Sequence, residues 1–331
     1  MKIKSFFSSW VYPIEVLLSE QFSYGHREIL LASHDLDPSL IFNASIQHGW
    51  LLSRLGTPLI RKRNFGIFPT LVWSERIARE MWDNQKTRTF ILGSPFAHLA
   101  QALGYNNRNT NNLNINPNSI LYFPSHSDRG YTAFLNPEFF DILNTYNFGR
   151  KTVSLFWSDF VNPRNIEMLN SYSFDVICHG YRGGSGFEFP WADTGGRTKF
   201  LFRLLDSILN HDVIAMSDVS TIFWYALALG KSVLITEGFE SGSGWNGLQL
   251  THGTESIYKA AQEVTDLSKI YINEIIKPST ELVRLARAEI GWTEAEDSMQ
   301  SLKIRQLMVR SKIDKSLVLN LNSMILDRRV E

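Results

Sequence analysis

Two histidines in this 331-residue sequence occupy the same local setting. His48 closes the run FNASIQHG and His179 closes FDVICHG, and each is followed at once by a glycine, Gly49 and Gly180. An imidazole titrates near neutrality and can take or give a proton, and a glycine beside it lets the chain turn and a ligand come close. At two strand ends, one in each half of the chain, the pair could face each other as a base and a phosphate donor. The plain alternative for each is an ordinary buried imidazole.

A third signal is the segment DVIAMSDVSTIFWYALALGKSVLI at 212–235. An apolar strand ends at Ser217, small hydroxyl residues fill the turn, and a helix rich in Ala and Leu begins near Ser220. Unpaired N–H groups and the positive end of the helix dipole would then point at the strand edge, which suits a phosphate. The hydroxyls of Ser220 and Thr221 could add donors, and capping by Ser217 or Asp218 is the simpler explanation. His126, in FPSHSDRG, follows another strand and stands beside Ser125. Arg182 lies three positions beyond His179 and could fork onto a phosphate. Asp159 and Glu237 are strand-end acids, either of which could be a nucleophile, though no carboxylate identifies itself as one. Asp35 and Asp37 spell a D-x-D in HDLDP, a pattern that can hold a divalent ion on a diphosphate but is more often a turn. No obligatory metal is expected. GGSG at 183–186 and GSGWNG at 242–247 match neither a dinucleotide fingerprint nor a phosphate-binding loop with its Lys and Ser/Thr. They are expected to rim the cleft, with Trp191 and Trp245 available for stacking.

The elements that must position these residues alternate. Short apolar runs at 28–33, 42–49, 70–74 and 89–94 interleave with helical patterns at 75–85 and 95–104. The alternation resumes with runs at 119–125, 152–158, 174–180, 212–217 and 232–237, and helical stretches at 137–147, 198–211 and 220–230. From about residue 255 onward the pattern is helical. Strands interleaved with helices imply parallel pairing and an α/β fold of two Rossmann-like domains. The run NNRNTNNLNINPNS, which neither propagates a helix nor packs as a strand, serves as an interdomain linker at 106–119. The expected division is a first domain at 1–105, a second at 120–285, and C-terminal helices at 286–331 packing back across an interdomain cleft. Open parallel sheets bind ligands beyond the carboxyl ends of their strands, where the candidate residues fall.

Thirty-three basic residues cancel thirty-three acidic ones, so nothing calls for nucleic acid as the main ligand. One cysteine, Cys178, excludes an internal disulfide and fits a reducing, cytoplasmic setting. The opening MKIKSFFSSWVYPIEVLL is interrupted by Pro13 and Glu15, and is read as mature protein rather than a secretory signal. No long apolar stretch suits a membrane span. The basic run Arg61–Lys62–Arg63, near Phe65 and Phe68, fits either peripheral membrane contact or a solvated loop.

Taken in order, these pieces resemble the two-domain GT-B transferases, and within them the CDP-glycerol glycerophosphotransferase-like group and related capsule and lipopolysaccharide transferases. QHG at 47–49 is similar to that family's strand-end HG, ILGSPF at 91–96 to its G-x-P-R turn, and ILYFPSHSDRG at 120–130 to its ILY-x-P-T block. ICHG at 177–180 resembles its strand-end HP, and SDVSTIFWYALALGKSVLI at 217–235 its T-D-Y-S-S helix start. The sequence departs from the pattern at Phe96, Gly180 and Val219, which favours a sugar over a polyol phosphate as the transferred group.

The resemblance implies a glycosyltransferase using a nucleotide-sugar donor, CMP- or UDP-activated, and a lipid-linked or oligosaccharide acceptor of surface polysaccharide, without a separate cofactor. Ser217, Ser220, Thr221, Ser125 and His126 would hold donor phosphate, His179 would steady the leaving group, and His48 would act as base. Arg182 and Glu237 would touch nucleotide or sugar. The alternatives are a CDP-polyol phosphotransferase of the teichoic-acid type and a non-catalytic partner subunit on the same scaffold.

Overall fold

The computed structural model describes residues 21, 23–37, 42, 44–50, 69–105, 118–124, 131–133, 135, 137–180, 196–216, 219–236, 242–244 and 274–296. In the first lobe, α1 (His26–Ala32) is followed by β1 (Ser45–Ile46), β2 (Thr70–Val72), α2 (Glu75–Gln85), β3 (Thr89–Ile91) and α3 (Pro95–Ala102). The three strands pair in parallel in chain order. Ser74 and Ser94 cap α2 and α3 by accepting from main-chain N–H groups of the first turn, and Pro95 opens α3, where a missing N–H costs nothing.

The second lobe runs β4 (Ser119–Phe123), β5 (Tyr131–Ala133), α4 (Pro137–Thr145), β6 (Arg150–Leu155), α5 (Trp157–Phe160), α6 (Pro163–Ser171) and β7 (Asp175–Cys178). It continues with α7 (Gly196–Leu209), β8 (Val213–Met216), α8 (Thr221–Ala228), β9 (Ser232–Ile235), β10 (Gly242–Gly244) and β11 (Ile275–Ile276). The described residues end with α9 (Thr280–Glu289) and α10 (Trp292–Glu296). Its six-stranded sheet has the order β11-β9-β8-β4-β6-β7, parallel throughout except for the antiparallel edge strand β11. β5 and β10 form a separate antiparallel pair. The mixed α/β class with parallel sheets is as the alternation predicted.

The central strands read as continuous apolar runs because both faces are covered. Ile120, Leu121 and Tyr122 of β4, Val213 to Met216 of β8 and Val233 to Ile235 of β9 are all buried. The strand order reverses between β4 and β8, and a ligand crevice belongs at the carboxyl ends of those strands.

Three local readings change. The apolar run at 28–33 lies largely in the helix α1 rather than in a strand, since its Ile29, Leu30 and Leu31 fill a helical face against the first lobe's core. The stretch after 255 is not purely helical, because Ile275–Ile276 adds a strand to β9. Helices α5 and α6 stand at 157–171: α5 takes Trp157 and Ser158 from the run expected as strand at 152–158, and no element was expected at 159–171; Asn162 caps α6 and Pro163 opens it. The Asn-rich run lies outside the described residues except for Asn118 and Ser119, and Ser119 already belongs to β4.

The end of the described chain returns to the first lobe. α9 packs on α8, and α10 packs on α3. The Ser94 N–H donates to Ile290 O at 2.8 Å, and Gln101 Nε2 donates to Trp292 O at 2.7 Å. One apolar cluster therefore runs through both lobes, joining Trp50, Trp73 and Phe96 to Trp224, Tyr225 and Ile290.

Candidate active site

A cavity of about 460 Å³ opens where the two lobes meet. The first lobe contributes Tyr24, His26, His48 and Gly49 to its wall, and the second contributes the ends of β4, β6, β7 and β8, one face of α7, and the start of α8. His48, His179, Ser220 and Thr221, predicted from widely separated stretches, all line it. No Lys, Arg, Asp or Glu stands on the wall among the described residues. Aromatic and aliphatic side chains dominate it, with imidazoles and hydroxyls between them, the make-up of a small-molecule site.

His48 is exposed and held by its neighbours in the chain. The side chain of Gln47, itself buried, accepts from the Trp73 N–H at 2.9 Å and donates to Gly49 O at 2.8 Å, which pins the turn after β1. The His48 ring then stacks on Tyr24, centroids 4.9 Å apart. At Gly49 an added Cβ would stand 3.0 Å from Thr221 Oγ1, so the bare backbone is what lets the first lobe approach α8 this closely. The Trp50 N–H completes that approach by donating to Thr221 Oγ1 at 2.9 Å.

The mouth of α8 has the form expected of an anion site. Ser220 is the cap residue, extended in backbone, and its side chain makes no capping hydrogen bond. The first main-chain bond in this turn is from the Phe223 N–H to Ser220 O, and no described residue accepts from the N–H groups of Thr221 and Ile222. Thr221 and Ile222 both line the cavity. A helix start with unpaired donors, placed at a strand-order reversal, can take a negatively charged oxygen.

His179 differs from its expectation. It is buried, its Nδ1 bonds to Ser154 Oγ at 2.9 Å, and its Nε2 bonds to Ser207 Oγ at 3.0 Å. Burial, with Arg203 nearby, lowers its pKa to about 4. The ring stacks on Phe123 and meets Phe200 edge-on. A neutral imidazole with both nitrogens engaged within the protein has no donor left for a ligand, so steadying a leaving group is not what its geometry provides.

His26 is a site residue that sequence reasoning missed. It opens α1, is 1% exposed, lines the cavity and lies 6.1 Å from His48 between ring centroids. Its Nδ1 is buried with no hydrogen-bond partner. Burial, and then the neighbouring His48, lower its pKa to about 3, so it stays neutral. The signal was the Gly25–His26 pair ahead of an apolar run: Gly25 adopts φ 72° and turns the chain into the helix, which sets the imidazole at its first turn.

No family model matches the sequence, and neither does any curated protein. Two solved structures are similar over most of this chain and half of their own. One is a single-residue mutant of S. aureus TarM in complex with fondaparinux, alpha-GlcNAc-glycerol and UDP, at 11% identity and a TM-score of 0.30, covering 84% of this chain and 50% of that one. The other is a UDP-glucosyltransferase from Polygonum tinctorium capable of glucosylating indoxyl, in complex with 3,4-dichloroaniline, at 11% identity and a TM-score of 0.27, covering 74% and 50%. The chain thus spans about half the length of the structures it matches.

Other expected residues fall elsewhere. Ser125, His126, Arg182, Ser217 and Glu237 lie outside the described residues, as do the basic run at 61–63, Trp191 and Trp245. Asp159 is buried in α5 and does not line the cavity. Asp35 stands in the turn after α1 with φ 51°. Among the described residues no three His, Cys, Asp or Glu side chains gather as a metal-binding group, and no helix is long and apolar enough to cross a membrane.

Proposed function

We propose that this chain is a glycosyltransferase of GT-B type that moves a sugar from a CMP- or UDP-activated donor to a carbohydrate acceptor. The observation that carries the reading is the meeting of His48, from the first lobe, and the open start of α8, from the second, on one interlobe cavity. In the reaction the bond between the anomeric carbon and the donor phosphate breaks, its electron pair leaving with the phosphate oxygen. The acceptor oxygen bonds to that carbon, and its proton passes to the His48 imidazole.

The Thr221 and Ile222 N–H groups and the hydroxyls of Ser220 and Thr221 receive the departing charge. Oriented donors of this kind are worth about 3 kcal/mol each in a transition state. Tyr24, Phe123 and Phe200 line the space a sugar or a base would occupy, and His26 stands at the same wall with its Nδ1 buried and unpartnered. His179 shapes the wall. The reading assigns no metal and no cofactor beyond the donor. The acceptor side is a lipid-linked or oligosaccharide chain of capsule or lipopolysaccharide type, met at the inner face of the cell membrane.

The test is donor binding by calorimetry with CMP, CDP, UDP and GDP, on the wild type and on Ser220→Ala/Thr221→Ala. Binding of one nucleotide, weakened roughly 10- to 100-fold in the double variant, is expected from the loss of hydrogen bonds to a charged group. No binding by any of the four, with no change in the variant, would remove the reading. Phosphate label appearing in the product would redirect it to polyol-phosphate transfer.

A further inference from the structure

The last residue of α9, Glu289, is a carboxylate only 5% exposed that faces the first lobe. Arg76 of α2 donates to it through Nε, at 2.9 and 2.8 Å to its two oxygens, and through Nη2 at 2.7 Å. The indole N–H of Trp50 donates to the same carboxylate at 2.7 Å. Arg76 also reaches Glu80 one turn along α2 at 2.7 Å, and its guanidinium lies over the Trp50 ring. Trp224 of α8 flanks that ring on the second lobe, centroids 5.1 Å apart. Arg76, Trp50 and Glu289 stand outside the cavity wall. Trp50 nevertheless reaches the wall through its own main-chain N–H, which donates to Thr221 Oγ1 at 2.9 Å.

A hydroxyl has one proton to give and two lone pairs to fill. With one lone pair of Thr221 occupied by the first lobe, the hydroxyl keeps its proton, beside its second lone pair, for the cavity it lines. We propose that Glu289, acting through Trp50, is a positioning residue that sets the Thr221 hydroxyl as a donor to an anionic oxygen at the start of α8. The inference rests on the reading of that mouth as a phosphate site. A buried carboxylate is costly unless paired, and a buried ion pair is better attested as a device for specificity than for stability. Here it clamps the indole, the indole fixes the turn at 48–50, and that turn presents its N–H to Thr221. Because the contacts join the two lobes, the donor is set only when the lobes are together. Apart, the hydroxyl turns freely and the anion meets a weaker mouth.

The experiment is a double-mutant cycle of Trp50→Phe and Thr221→Ala, read as UDP affinity by calorimetry on the full chain. Trp50→Phe keeps a ring in place and removes the indole N–H that Glu289 holds. It is expected to weaken UDP roughly tenfold in the wild-type background and less than about twofold in Thr221→Ala, a coupling of the size found for residues in one network. Thr221→Ser, which keeps the hydroxyl, retains the full Trp50 effect. An equal factor in both backgrounds, or none in either, overturns the proposal. Should Trp50→Phe fail to fold, Glu289→Gln enters the same cycle, and coupling or its absence is read in the same way. Where UDP does not bind the wild type, the cycle uses whichever of CMP, CDP or GDP does; should none of the four bind, the phosphate reading falls by itself. The cycle is then read on ligand-free unfolding midpoints, where non-additivity keeps the Glu289–Trp50–Thr221 linkage and additivity removes it.

Discussion

His48 and His179 share a sequence signature and a cavity but not a chemistry. Each ends a strand run, each precedes a glycine, and their rings border the same space. His48 is exposed and stacked on one tyrosine, whereas His179 is buried among Phe123 and Phe200 with a serine hydroxyl on each nitrogen. The difference lies in what faces each ring. A proton carrier needs a nitrogen that substrate can reach, and a wall residue needs its polar atoms satisfied within the protein.

The comparison breaks most readily on activity. His48→Ala is expected to lower kcat for consumption of the nucleotide sugar that binds by roughly 10²- to 10⁴-fold, the worth of a general base. His179→Ala, assayed below its own unfolding temperature, is expected to cost less than about tenfold, since no transferred proton passes through it. Equal losses in the two variants would erase the distinction.

The next effect is on stability against pH. His179 titrates at about 4 in the folded chain against an ordinary 6.5, so the unfolded chain binds the proton first as pH falls. Its contribution is complete above pH 6.5 and is lost as the pH falls through the interval down to about 4. His98, buried in α3 and lowered to about 4, and His26, lowered to about 3, act in the same direction. Urea titrations should therefore show stability dropping through this window. His179→Gln should flatten the drop by on the order of 3 kcal/mol. An unchanged pH profile would mean that His179 is not neutral.

Two smaller effects sharpen the picture. Ser154→Ala removes the partner of His179 Nδ1 and should cost about 1 kcal/mol in urea unfolding with the nucleotide affinity unchanged. His26 is buried like His179, yet its Nδ1 has no partner. Replacing it with Phe should leave the ligand-free protein equally stable or up to about 1 kcal/mol more so in urea unfolding. A marked loss of stability in His26→Phe would show that the nitrogen is satisfied after all.

Much of the second lobe was legible because its strands are continuous apolar runs cut by glycine, histidine and small hydroxyl residues. Each of those punctuation points marks a carboxyl end of the sheet, so His48, His179, Ser220 and Thr221 could be brought to one cleft from the strand-end rule alone. The same rule could not tell the two imidazoles apart. Ser154 and Ser207, which occupy His179, come from a neighbouring strand and a later helix. His26 was missed for a different reason: the apolar run after it has no helical period long enough to show, and only packing makes it α1. The Trp50–Glu289 contact joins residues 239 positions apart, and no local pattern marks either end. At α6 the Asn162–Pro163 start signal stands in the sequence, but the helix it opens is short and buries little besides Leu169.

The return of the chain's later helices to the first lobe has a consequence for synthesis. Ser94 receives its main-chain partner from Ile290, 196 residues further on (290 − 94). At about 5–20 residues per second, that partner leaves the ribosome on the order of 10–40 s after Ser94. Through that delay the early half waits with Trp50 and Arg76 lacking Glu289, and it acquires its finished surface only when the late helices arrive.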